Sequence, residues 1–245
     1  MKPKKKYAER FVASTPKKSK ELDDRQRKVL EIFSRYQFDR ILDIGCGDGN
    51  YSVLLKKACN AKEVYGIEIS EKGVKLAREN GVKAFRINID GSKLPFEDNY
   101  FDGVFAGEII EHLYDTDNFV NEVYRTLKPG GIFVMTTPNL AWWVNRVCLL
   151  FGFQPYGMNV SSNFSIGHVY EPKNEFSSFD HIRFFTLKSL QEFLKLHNFQ
   201  IINIIGVHIR LSGLPLLTSI VNVIDRLLSF RPSLSNCMLL VLKKK

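Results

Sequence analysis

The feature that most restricts this chain is a short apolar run, Arg40-Ile41-Leu42-Asp43-Ile44, which closes on the alternating glycines Gly45, Gly47 and Gly49 and leads into helical spacing over Tyr51–Ala58. A strand that ends in a glycine turn and passes straight into a helix opens a βαβ unit. The alternation then recurs, with strands expected at Glu63–Ile69, Lys83–Ile89, Phe101–Ala106 and Ile132–Thr137 and helices at Ser70–Asn80 and Asp117–Leu127. Lys128-Pro129-Gly130-Gly131 supplies a helix stop, because Pro cannot continue a helix and Gly tolerates a positive φ. Such a pattern predicts an α/β fold, a Rossmann-like doubly wound sheet with right-handed crossovers.

Outside that run, Glu21–Tyr36 reads as an amphipathic lead-in helix, with Leu22, Val29, Ile32 and Phe33 set among charges. Beyond Asn139 the rhythm breaks for about forty residues, a length that marks a functional loop. This insertion, about 140–180, carries nine aromatic residues between Trp142 and Phe179 and reads as a lid for an acceptor, with a helix at Ala141–Phe151. A helix at Leu187–His197, a strand at Gln200–Ile209, an apolar helix at Leu216–Leu228 and a strand at Asn236–Leu242 follow. The final strand pair predicts a hairpin-type edge, giving seven strands, mostly parallel, with an antiparallel last strand.

The length of 245 residues suits one domain with appendages, a basic flexible arm at 1–20 and a single domain at 21–245. The net charge of +9 is confined to the ends: residues 1–20 sum to +7 and Lys243-Lys244-Lys245 add +3, leaving the body near neutral. Arm and tail could touch RNA phosphates or an anionic membrane, but a solvated, partly disordered terminus is the preferred reading. Cys46, Cys59, Cys148 and Cys237 form no CxxC pair, so neither a zinc cluster nor a disulfide framework is expected. The N-terminus lacks the apolar run of a signal peptide, which points to the cytoplasm. Leu214–Phe230 is too short and too interrupted to span a bilayer, which leaves a peripheral membrane contact open.

In an open parallel sheet, ligands sit at the carboxyl ends of the strands. A dinucleotide fingerprint needs Gly-x-Gly-x-x-Gly, yet counting from Gly45 puts Asn50, and from Gly47 Ser52, where the third glycine should stand. Asp43 before the turn favours a cationic ligand group over a pyrophosphate. Glu68 ends the second strand, where a carboxylate can accept both ribose hydroxyls. Asp90 ends the third, where it can accept from an adenine amine.

The ordered set Leu42–Gly49, Gly66-Ile67-Glu68-Ile69-Ser70, Asp90–Phe96, Phe101-Asp102 and Leu127–Gly131 resembles the class I S-adenosylmethionine-dependent methyltransferases, in particular the ubiquinone/menaquinone-methylase-like branch. The resemblance implies that Asp43, Gly45, Cys46, Gly47 and Gly49 meet the methionine moiety, Glu68 and Ile69 the ribose, Asp90 and Gly91 the adenine, and that Glu108 lies beside the sulfonium. It further implies transfer, by O-methylation, to a small-molecule, lipid or glycan acceptor.

Methylating a hydroxyl requires a base, and His112 and His181 are the candidates. His112 belongs to Glu108-Ile109-Ile110-Glu111-His112-Leu113, a segment similar to those of quinone O-methyltransferases and of RNA 3′-end 2′-O-methyltransferases, where it can bind a divalent metal. With His181 the set would hold two carboxylates and two imidazoles. Relatives without metal carry the same residues, with the His packed and hydrogen-bonded. A metal-dependent RNA 2′-O-methyltransferase is therefore the alternative within the class. A nicotinamide-dependent oxidoreductase and a non-catalytic nucleotide-binding module are the alternatives outside it. The former lacks its third glycine, and the latter should show a damaged turn, which this chain does not.

Overall fold

A computed structural model of the chain describes residues 22–161, 164, 166–169, 181–208 and 215–245. The basic arm at 1–20 and the end of the insertion at 170–180 lie outside the described residues. The first helix, α1 (Asp24–Phe33), starts at a capping box in which Asp23 accepts the Gln26 amide and the Gln26 side chain accepts the Asp23 amide. β1 (Arg40–Ile44), α2 (Asn50–Ala58), β2 (Glu63–Glu68), α3 (Glu71–Glu79), β3 (Lys83–Arg86) and β4 (Phe101–Gly107) follow. The second half holds α4 (Thr116–Thr126), β5 (Leu127–Pro138), α5 (Trp143–Leu150), α6 (Leu187–Leu196), β6 (Phe199–Val207), α7 (Pro215–Leu228) and β7 (Cys237–Lys244).

The seven strands lie in the order β3-β2-β1-β4-β5-β7-β6. β1 pairs parallel with β2 on one side and β4 on the other, and β7 runs antiparallel between β5 and β6. Alternate side chains of β1 feed opposite cores. Leu42 and Ile44 pack with Phe119 and Val120 of α4 and with Leu190 and Leu194 of α6. Ile41 packs with Val29 and Phe33 of α1, Leu55 of α2 and Val74 of α3. Each such buried aliphatic contributes about 1.5–3 kcal/mol, so the sheet is held from both faces, as a doubly wound fold requires.

Four expectations change in detail. β3 ends at Arg86 rather than Ile89, because its only partner β2 ends at Glu68, opposite Arg86. Asp90 therefore lies in the loop beyond the strand, not at its end. Lys128–Gly131 is not a separate stop: α4 ends at Thr126 and the chain enters β5 at once, with Gly130 at φ +76° inside a register shift against β4. The last strand runs to Lys244, whose buried ammonium donates to Asn99 Oδ1, Tyr124 O and Leu127 O at 2.7–2.8 Å. Two of the three terminal lysines thus belong to the sheet rather than to a solvated tail.

Candidate active site

The turn after β1 is made by glycine because its backbone turns left-handed three times, with φ of +83°, +56° and +79° at Gly45, Gly47 and Gly49. At Gly49 a Cβ would come 2.9 Å from the Cα of Ala77, so the turn is pressed onto α3. At Gly45 a Cβ would run into the side chain of Ile109. The amides of Gly45 and Cys46 both donate to Ile67 O, at 2.8 and 3.1 Å, fastening the turn to β2. Cys46 points inward and packs over Gly66, where a Cβ would come 2.6 Å from its sulfur.

Asp43 is buried, and its Oδ2 accepts the Ser52 hydroxyl at 2.5 Å. Burial pushes its carboxyl up to about 7, the Ser52 hydrogen bond holds it back and nearby Glu68 adds to the rise. Glu68 is also buried, accepting the Gly47 amide at 3.1 Å and the Ser70 amide at 2.8 Å. Its carboxyl is raised by burial and opposed by those amides.

A cleft opens at the carboxyl ends of β1, β2 and β4, the place where ligands sit in an open parallel sheet. Gly45, Glu68, Ile69, Asp90, Glu108 and His112 are among its lining residues, together with Ile67, Ile87, Asn88, Ile89 and Ile109. Asp43, Cys46, Gly47, Gly49 and Gly91 are not. They lie in or behind the turn or on the adjoining loop: Asp43 faces Ser52, and Cys46 packs over Gly66. Asp90 Oδ1 accepts the amides of Tyr114 and Asp115 at 3.0 and 2.9 Å, tying the loop after β3 to the one after β4.

Past β4 the chain forms a single 3-10 turn, Ile110–His112. Just before it, Glu108 has a left-handed φ of +56°. Its Oε1 receives Arg25 of α1 at 3.2 Å and the Cys237 thiol at 3.5 Å. Glu111 is buried; its Oε2 accepts the Thr137 hydroxyl at 3.0 Å, and its Oε1 has no hydrogen-bond partner. Burial, then the Glu108 charge, raises its carboxyl well above the ordinary range.

The segment after the insertion docks on this turn. The amides of Ile182 and Arg183 both donate to Glu111 O, at 2.9 and 3.0 Å, and Arg183 donates to Tyr114 O. This brings the imidazoles of His112 and His181 edge to face, with centroids 4.8 Å apart. Ligand atoms of Glu111, His112 and His181 lie within 4.8 Å of one another, the one such grouping among the described residues. Glu108, the fourth ligand expected from the sequence, is turned to Arg25 instead. His181 also lines a small second pocket with Asn139, Tyr156 and Gly157, so His112 borders the cleft and its neighbour borders that pocket.

Residue reasoning missed Asn88 and Arg25. Asn88 lies in a stretch expected to be strand. Arg25 is one of many cations in the lead-in helix, with nothing in its sequence context to single it out. It also missed Asn145, buried in α5, whose side chain accepts the Tyr156 amide and donates to Leu140 O, holding the second pocket's wall.

Residues 42–135 match a family model described as a methyltransferase domain. A Mycolicibacterium smegmatis protein named as a probable S-adenosylmethionine-dependent methyltransferase is 34% identical over 99 residues, 40% of this chain and 38% of that protein. The demethylmenaquinone methyltransferase of Staphylococcus aureus is 30% identical over 135 residues, 52% of this chain and 56% of that protein. The chain thus spans 38% to 56% of the length of these curated relatives. A chain from the solved complex of the Haloferax volcanii Trm112 methyltransferase activator with a methyltransferase aligns with a TM-score of 0.62 at 16% identity, covering 99% of this chain and 97% of that one. At that identity the likeness establishes the fold.

Proposed function

We propose that residues 42–135, which match a family model described as a methyltransferase domain, form a class I S-adenosylmethionine-dependent methyltransferase domain, and that the chain moves a methyl group from that donor to an oxygen of a small-molecule, lipid or glycan acceptor. The observation that carries the reading is the cleft's character. Glu68, Asp90 and Glu108 stand around a wall of six isoleucines, and no Lys or Arg is among the described lining residues. A pyrophosphate would meet the carboxylates of Glu68 and Asp90 with no lining Lys or Arg to offset them, Glu108 already being paired with Arg25, whereas a ligand bearing a sulfonium and an ammonium meets opposite charge.

The residues present fit the donor. Glu68 would take the ribose hydroxyls and Asp90 the adenine amine, with Ile69 and Ile89 against the ring. Gly45 and Glu108 would meet the methionyl end, and Asp43 and Gly47 would act from behind by fixing the turn. Bound there, the donor supplies an electrophilic methyl carbon for in-line displacement. His112, at the border of the cleft, would take the acceptor's proton at an imidazole nitrogen, with His181 orienting it from the second pocket.

Titration calorimetry of the full chain with S-adenosylhomocysteine and with NADH tests the donor; binding of NADH alone would overturn the reading. Transfer of labelled methyl to phenol, lipid and glycan pools then tests the acceptor. A second reading, a metal-dependent RNA 2′-O-methyltransferase, is favoured by one observation, the convergence of ligand atoms of Glu111, His112 and His181. One carboxylate and two imidazoles fit a divalent ion such as Mn, Fe or Zn, which would supply Lewis acidity there. Activity on RNA 3′ ends that is lost with a chelator would select it.

A further inference from the structure

The outer helices of a doubly wound sheet normally turn charge to water, as α3 does: Glu71, Lys72, Lys75, Arg78 and Glu79 are its exposed positions within the helix. α7 is built the other way round. Ile220, Val223, Ile224 and Leu227 recur at the spacing of one helical face, and all four are exposed. Its fully buried residue is Asp225, whose Oδ1 accepts the indole N–H of Trp142 at 2.5 Å and of Trp143 at 2.8 Å. The polar side of α7 is thus its inner side, and it is pinned to the start of α5. α5 repeats the inversion at its far end, where Leu150 is 79% and Phe151 71% exposed.

Among the described residues of the two segments that carry these faces, the exposed charge has one sign. Residues 139–170 contain no Asp or Glu, and residues 199–245 contain only Asp225, which is buried. The exposed charges on and beside the two helices are Arg146, Arg226 and Arg231. No helix among the described residues is long and apolar enough to cross a membrane. A short helix with an apolar outer face and arginines beside it fits the plane of a bilayer interface with anionic headgroups. Both helices also stand at the edge of the sheet where β5 ends and β7 begins, since α5 leaves the end of β5 and α7 leads into β7 where Cys237 pairs with Pro138.

We propose that the outer faces of α5 and α7 form a docking surface for an anionic lipid bilayer, independently of what the cleft binds. Co-sedimentation of the full chain with phosphatidylglycerol/phosphatidylcholine vesicles, at low salt and at about 0.5 M salt where exposed charges are screened, tests it. Val223→Asp/Leu227→Asp and Leu150→Asp/Phe151→Asp change exposed side chains only, and an unchanged melting temperature checks their fold. Binding that survives high salt in the parent and falls by at least about tenfold in either variant is the expected result. Three results would overturn the proposal: no binding by the parent, variants that bind as the parent does because the basic termini suffice, or a parent dimer that the variants dissociate without any vesicle binding.

Discussion

The Ser52 hydroxyl, on the first turn of α2, donates to Asp43 Oδ2 at 2.5 Å across a junction that neither side chain shares with water. The bond ties the end of β1 to the helix that follows the glycine turn, so Asp43 shapes that turn from within. Its cost lies in the buried carboxyl, held up to about 7, against about 3.9 in an unfolded chain.

Between those values the unfolded chain has released a proton that the folded chain keeps, so unfolding free energy falls as pH rises from about 4 to about 7 and is flat beyond. Asp43→Asn keeps an acceptor for Ser52 and has no charge to bury. The variant should be more stable than the parent at pH 8, by on the order of a few kcal/mol, and the gap should close near pH 4. Thermal melts at intervals across that range check it. A gap that stays constant with pH would mean that Asp43 is ionised throughout.

Two glycines with nearly the same φ should respond differently to the same change. Gly49→Ala places a Cβ 2.9 Å from the Cα of Ala77 at φ +79°, whereas Gly81→Ala, at φ +84°, meets no atom within 4 Å. The second should cost about 1–2 kcal/mol for the left-handed backbone alone. The first adds overpacking against an immobile backbone and should cost about 2–5 kcal/mol. Urea unfolding of both variants measures the difference.

These contrasts mark what the sequence could tell. The seven strands and the turn were legible because each depends on a local run or a glycine pattern, and Glu68 was legible because it ends such a run. Glu108 was found but not its partner, since the Arg25 pair is set by how α1 packs on the sheet. For the same reason the four-ligand set of the sequence became a three-residue cluster: a left-handed Glu108 sends its carboxylate to Arg25 while the next turn buries Glu111. The apolar period of α7 was visible in the letters, but a period shows that a face exists and not which way it points. Only the contact between Asp225 and the two tryptophans reveals that the face is outward.

Glu68 should couple stability to donor binding. Glu68→Ala strands the amides of Gly47 and Ser70, and buried unpaired donors cost about 1–3 kcal/mol each. Glu68→Gln retains one carbonyl acceptor and should melt nearer the parent, yet it loses the charge that would grip two ribose hydroxyls. S-adenosylhomocysteine should bind Glu68→Gln at least about tenfold more weakly. Calorimetry showing parental affinity in a folded Glu68→Gln variant would remove Glu68 from the proposed donor site.

The histidine pair separates the two proposed chemistries. If His112 acts as a base oriented by His181, His112→Gln should lower kcat by about 10²–10⁴-fold while donor affinity, set by the strand ends, stays at the parent level. His181→Gln should have a smaller effect, Glu111→Gln should matter mainly for stability, and a chelator should change nothing. If Glu111, His112 and His181 instead hold a divalent ion, each of the three changes should remove activity to a similar extent, because losing any ligand opens the site. The parent should then lose turnover on chelation and regain it with added metal. Measuring kcat, donor affinity and chelator response on the same three variants decides between them, because the base reading gives Glu111 no part in proton transfer whereas a metal needs it as a ligand.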